Sequence, residues 1–180
     1  MNDPEAPAPF VARFDLNRLS EAGYETEIVL GPVELTKLAH WADVASVENF
    51  RGRVSLRRLA PSRFAYSASL AARITQDCTV TLEPVSSNID IDFTRELHLV
   101  SQARKIVDFS GEIASVADDD GVPEEIESPR YDLAAPLLEE FLLAIDPYPR
   151  APGVVFEAPA DPGAATESPF AALKKLKGQS

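Results

Sequence analysis

The chain has 180 residues, 45% of them hydrophobic, and a formal net charge of −12, which fits one domain able to bury a core without metal or disulfide support. That charge argues against non-specific sliding on nucleic acid, which runs on excess Lys and Arg, and against adsorption to an anionic membrane. No run approaches 18 apolar residues, and Met1 to Pro9 is acidic and Pro/Ala-rich, so neither a spanning helix nor a signal peptide is expected and the protein reads as cytoplasmic.

Residues 1–9 read as a disordered tail, 10–150 as a single α+β domain, and 151–180 as a Pro-rich linker with a short C-terminal helical segment. Phe10, Ala12, Phe14 and Leu16 alternate as a short strand, and Tyr24 to Leu30 forms a second. Gly31-Pro32 stops that strand and opens a helix, with Pro32 at the first helical position. Leu35, Leu38, Ala39, Ala42 and Ala45 continue its apolar spacing to about Ala45. Phe50 to Leu59 is a strand with Val54 and Leu56 on one face, and Ala60-Pro61-Ser62 is a turn. Phe64, Tyr66, Ala68, Leu70, Ala72 and Ile74 alternate over eleven residues, the clearest strand signal in the chain.

Cys78, Val80 and Leu82 alternate as a further strand that ends at Pro84. Ile89, Ile91, Phe93, Leu97 and Leu99 then share one parity. Asn88, Asp90, Asp92, Thr94, Glu96 and His98 share the other, which faces solvent or a partner. Ile106 to Ile113 adds another strand candidate. The acidic stretch 117–129, with Asp118, Asp119, Asp120, Glu124, Glu125 and Glu127, reads as a solvated loop. A second helix spans about 132–145, with Leu133, Leu137, Leu138, Phe141, Leu142 and Ile145 on its apolar face, and stops at Asp146-Pro147. Prolines 147, 149, 152, 159 and 162 then keep the chain extended. Ser168-Pro169 caps Phe170 to Lys177, where Phe170, Leu173 and Leu176 are spaced i, i+3, i+6 among Lys174, Lys175 and Lys177. Short turns between strands predict an α+β fold: a mostly antiparallel, partly curled or barrel-like sheet of five to seven strands, two packing helices and an extended C-terminal tail.

Signatures of chemistry are missing: there is no GxGxxG, P-loop or GxSxG. One cysteine excludes an internal disulfide and suits a reducing compartment. Cys78 shares parity with Val80 and Leu82, which makes it a packing residue. His40 and His98 are distant from it and from each other in sequence, so no zinc ligand set forms. Asp90 and Asp92 are close enough for a paired-carboxylate or cation site but lack further ligands. The expectation is a protein without catalytic residues, metal or cofactor, acting by binding.

The basic residues are unevenly placed. No acid lies between Glu48 and Asp77, and that window holds Arg51, Arg53, Arg57, Arg58, Arg63 and Arg73. Arginine suits planar, bidentate contact with phosphate and stacking on bases. Arg51, Arg53 and Arg57 share one strand parity, and Arg63 and Arg73 share the polar parity of the next, so a hairpin gathers them on one face, with Arg58 leaning toward the core edge. The competing reading is that these arginines pair with the protein's own 29 acids.

Three blocks together resemble a bacterial family. They are Cys78-Thr79-Val80-Thr81-Leu82-Glu83-Pro84; Tyr131-Asp132-Leu133 through Glu139-Glu140-Phe141-Leu142-Leu143-Ala144 to Pro147-Tyr148-Pro149-Arg150; and Ser168-Pro169-Phe170 through Lys177. The chain resembles the YceD family of large ribosomal RNA subunit accumulation proteins over roughly residues 10–177. The family's motif positions map onto Cys78, Leu82, Glu83, Pro84, Glu140, Leu142, Leu143 and Ala144. The resemblance implies a non-enzymatic cytoplasmic factor that supports accumulation of large-subunit ribosomal RNA. The further cysteines that many members carry in metal-binding-like pairs are absent here, so the resemblance carries no metal site over to this chain. The arginine-rich strands suggest ribosomal RNA as the partner. The alternative is a basic large-subunit ribosomal protein, such as L32, bound by Asp118 to Glu127 or by the Asp90, Asp92 and Glu96 face.

Overall fold

Three strands of about fifteen residues each carry the architecture. In a computed structural model, residues 7–100 and 123–156 are described. The strand expected at Ile106 to Ile113, the acids Asp118 to Asp120, and the C-terminal segment Phe170 to Lys177 lie outside the described residues. Within them the order is β1 (Arg13–Asp15), a 3₁₀ turn (Leu16–Arg18), β2 (Tyr24–Val29), α1 (Pro32–Trp41), β3 (Ser46–Ala60), β4 (Arg63–Asp77), β5 (Pro84–Leu99), β6 (Glu124–Ile126), β7 (Arg130–Asp132) and α2 (Ala134–Ala144). Five strands form one sheet, ordered β2-β3-β4-β5-β6 and antiparallel except for the parallel β5–β6 pair. Strands β1 and β7 pair separately, with Phe14 opposite Tyr131. Among the described residues the sheet is open, with β2 and β6 at its edges, and does not close into a barrel.

One side of this sheet is apolar. Val54, Leu56, Phe64, Tyr66, Leu70, Ile74, Ile89 and Leu97 are buried in a cluster shared with Leu38 of α1 and Leu137, Leu138 and Phe141 of α2. The period-2 pattern of the strands and the apolar stripes of the helices meet there, as two-layer packing requires. The Tyr66 hydroxyl donates to the Leu133 carbonyl at 2.9 Å and ties the start of α2 to mid-β4. Burial pushes the Tyr66 phenol well above its ordinary range. Gly52 is buried beneath α2, and a Cβ there would lie 2.5 Å from Leu137 Cδ1, so the close approach of helix to strand requires the missing side chain.

Several expectations need correction. The N-terminal strand is only Arg13–Asp15, because Asp15 caps the Asn17 amide and turns the chain into a 3₁₀ turn at Leu16. Helix α1 ends at Trp41 rather than near Ala45, since Asp43 takes the left-handed conformation (φ 56°) and redirects the chain into β3. Cys78, Val80 and Leu82 do not form a strand. They lie in a tight loop closing the β4–β5 hairpin, where the Leu82 amide donates to the Cys78 carbonyl and the Cys78 amide to that of Glu83. The acidic stretch is not all loop: Glu124–Ile126 adds β6 beside Leu97–Leu99 and buries Ile126. No helix among the described residues is long and apolar enough to cross a membrane.

Candidate functional site

The register of β3 and β4 decides where the arginines point. Directly opposed residues project to the same face of a sheet. Arg51 opposes Ala71, Arg53 opposes Ser69, Arg57 opposes Ala65, and Arg73 opposes Asn49. On the other side of β4, Arg63 opposes His98. Five arginines, Arg51, Arg53, Arg57, Arg63 and Arg73, therefore share the face turned away from the helices. Arg58 opposes buried Phe64 and does not join them. It donates to the carbonyls of Leu16 (2.9 Å) and Pro61 (3.3 Å) and lies 5.0 Å from the Phe64 ring centroid, so it anchors the 3₁₀ turn and the hairpin.

The same face carries acids. Glu27 on β2 takes both Arg51 (3.5 Å) and Arg53 (3.7 Å), Glu48 takes Arg73 (3.1 Å), and Glu96 pairs with Arg63. Arg57 has no ion pair among the described residues. The competing reading of the arginines thus has direct support: four of the five meet internal carboxylates. The Arg63–Glu96 pair shields a carboxylate oxygen of Glu96 from solvent. The other three are surface pairs, with both side chains 42–69% exposed, and such pairs contribute only about 0–1 kcal/mol each. An external anion can exchange for them.

Between the arginine row of β3 and the acids of β5 runs a floor of small side chains on β4, Ala65, Ser67, Ser69 and Ala71. Asp90 and Asp92 stand across it, opposite Ala71 and Ser69, with the two charged rows about 10 Å apart at two strand spacings. Two shallow depressions follow this floor. One of about 410 Å³ touches Arg53, Ser67, Ser69, Asp92 and Thr94, and one of about 300 Å³ touches Arg51, Arg53, Ala71, Asp90 and Asp92. The face is striped by charge rather than uniformly basic. Sequence reasoning found the arginine and aspartate rows but not the floor or the role of Glu27. The alternation Tyr24, Thr26, Ile28 against Glu25, Glu27, Val29 carried the signal for Glu27 once β2 and β3 are paired.

The motif blocks meet elsewhere. The amide of Thr79 donates to the Pro149 carbonyl at 2.9 Å, and Gln76 Nε2 donates to the Asp146 carbonyl at 2.9 Å. Cys78, fully buried, accepts from the Ala151 amide at 3.4 Å and the Thr81 amide at 3.5 Å. The Thr81 side chain and the amides of Ala151, Thr81 and Val80 together lower its thiol from an ordinary 9.0 to about 6, against the opposing effect of burial. Glu83 offers its carbonyl to Cys78, Pro84 starts β5, and Ala144 ends α2. Leu82, Leu142 and Leu143 are exposed.

Glu140 acts at the other side of α2. It accepts from Arg95 at 2.8 Å, while Glu139 and Glu124 approach the same guanidinium. Burial works against the Arg95 charge, but Glu140 and Glu139 overcome it and raise its pKa further. The Tyr131 hydroxyl points to Glu124 at 3.3 Å, and burial with that carboxylate raises its phenol. Glu140 thus joins α2 to β5. His40 is exposed at the end of α1, and His98 is half-buried on β5. No group of three or more His, Cys, Asp or Glu residues able to hold a metal occurs among the described residues.

The model of a family described as "Large ribosomal RNA subunit accumulation protein YceD" matches residues 66–177, from mid-β4 through all three motif blocks to the C-terminal lysines. Comparison with curated proteins and with solved structures finds no match. The matched region spans more than half of the chain and takes in the Cys78 loop, β5, α2 and the segment that bonds to the loop; the chain belongs to the YceD family of large ribosomal RNA subunit accumulation proteins.

Proposed function

We propose that the protein supports accumulation of large-subunit ribosomal RNA by binding, not by catalysis, and that its open sheet face contacts ribosomal RNA through the arginine row. The observation that carries this reading is the gathering of Arg51, Arg53, Arg57, Arg63 and Arg73 on one exposed face with no lysine among them. Guanidinium groups in a row can track phosphates and stack on unpaired bases. The small floor of β4 lets a backbone approach the sheet, and the exchangeable surface pairs give way to phosphate at little cost. The acids across the floor repel RNA that does not fit the row, which suits a protein of charge −12 that must not coat RNA at large.

The test is the triple change Arg53→Ala, Arg57→Ala and Arg63→Ala in a binding assay with large-subunit RNA fragments over a salt series. Loss of three phosphate contacts flattens the dependence of log K on log salt by about 0.7 to 0.9 per contact. An unchanged slope refutes the RNA reading. One observation favours a second reading: Asp90 and Asp92 have no ion pair among the described residues and project from the same face. A basic ribosomal protein, with L32 as one such partner, would dock on them, and Asp90→Asn with Asp92→Asn would weaken that complex while leaving RNA binding intact.

A further inference from the structure

Three exposed apolar side chains stand at the end of the domain where the motif blocks meet. Leu82 is 76% exposed, Leu143 at the last turn of α2 is 79% exposed, and Tyr148 is 71% exposed. The Gln76–Asp146 and Thr79–Pro149 bonds hold the segment after α2 against the hairpin tip, bringing these residues to one end of the molecule. Leu82 is also held at φ 61°. A residue with a Cβ is disfavoured in the left-handed region, and glycine or asparagine would satisfy this turn without it. Neither turn geometry nor core packing explains a leucine at this place. Strain of this kind persists where the side chain serves something else. Exposed Asp77, Glu83 and Asp146 lie in the same hairpin tip and segment as the apolar residues, with Arg150 as one exposed cation beside them.

We propose that this end of the domain docks the chain's own C-terminal segment, Phe170 to Lys177. The described chain leaves the hairpin tip at Ala151, bonded to Cys78, and runs only to Phe156. Thirteen residues, 157–169, then separate Phe156 from Phe170, a span of roughly 20 Å as a flexible coil and up to about 40 Å where the prolines hold it extended. The segment brings three apolar side chains, Phe170, Leu173 and Leu176, to meet three, and Lys174, Lys175 and Lys177 to meet three acids. The family match runs to residue 177 and so ends with this segment. A second copy of the whole chain is a poorer occupant because each copy carries −12, and tethering gives the chain's own segment an effective concentration that a free partner must exceed.

Amide hydrogen exchange on the full-length protein at low micromolar concentration tests the proposal. In the wild type, amides of 170–177 should exchange at least about tenfold more slowly than in a free peptide of the same sequence. Leu82→Asn, which relieves the backbone and leaves the core intact, should return them to the peptide rate without lowering the melting temperature. Phe170→Ala with Leu173→Ala should do the same, and 0.5 M salt should weaken the protection. Peptide-rate exchange in the wild type would overturn the proposal. So would protection that survives Leu82→Asn and Leu143→Ser, or protection that grows with protein concentration and thereby identifies a second copy as the occupant.

Discussion

Replacing Gly52 by alanine tests which face of the sheet the helices cover. Gly52 lies in the middle of β3, opposite Leu70 and Ile28, under the fully buried side chain of Leu137. The added Cβ would stand 2.5 Å from Leu137 Cδ1, 3.2 Å from Cδ2 and 3.4 Å from Cγ, against an optimum of about 3.5–4.0 Å for carbon pairs. Leu137 cannot swing into solvent, so the overlap must be relieved by an altered rotamer or a shift of α2, at about 1–3 kcal/mol. Alanine in a strand otherwise gains about 0.5–1 kcal/mol over glycine, which leaves a net loss of about 0–2.5 kcal/mol. Leu137→Ala alone opens a cavity and costs about 2–5 kcal/mol. In the double variant the new methyl group enters that cavity, so the combined loss falls short of the sum by about 1 kcal/mol or more. Urea denaturation with an unchanged slope reads all four proteins. If Gly52→Ala is stabilising and the two changes add, α2 does not rest on β3 and the arginine face is not the open one.

Two further outcomes follow from the site geometry. Arg95→Met leaves Glu124, Glu139 and Glu140 facing one another in a partly buried position. Denaturation should show a loss of about 1–3 kcal/mol, between the surface and buried limits for broken ion pairs, and most of it should return in Arg95→Met combined with Glu140→Gln. The Cys78 thiol is held near 6 when folded and at its ordinary value when unfolded. Between pH 6 and 9 the unfolded chain binds the extra proton, so stability should rise with pH across that window, be fully gained above it and be absent below pH 6. Melting curves of the wild type and Cys78→Ala should diverge as pH rises, and parallel curves would show that the thiolate is not favoured.

Local pattern was enough for the elements whose burial is one-sided. The alternation from Phe64 to Ile74 and from Ile89 to Leu99 marked β4 and β5 because each strand has one wet and one dry face, and side-chain period alone encodes that. The same period placed Arg51, Arg53 and Arg57 together before any partner strand was known, and the blocks Cys78 to Pro84 and Tyr131 to Arg150 in combination carried the family. What alternation cannot encode is a chain that leaves the extended state while keeping an alternating spelling: Cys78, Val80 and Leu82 read as a strand, yet the sulfur binds amides of its own loop and of Ala151, 73 residues away. Glu124 to Ile126 read as solvated loop because charge dominated its composition, and only the exposed edge of β5 made it a strand. The character of the arginine face was likewise a tertiary decision. Glu27, Asp90 and Asp92 lie outside the acid-free window in sequence, and strand pairing brings them onto the arginines' face, turning a basic stretch of sequence into a charge-striped surface. Register between strands depends on which long-range pairs bury the most apolar surface, a property of the whole sheet and not of any one segment.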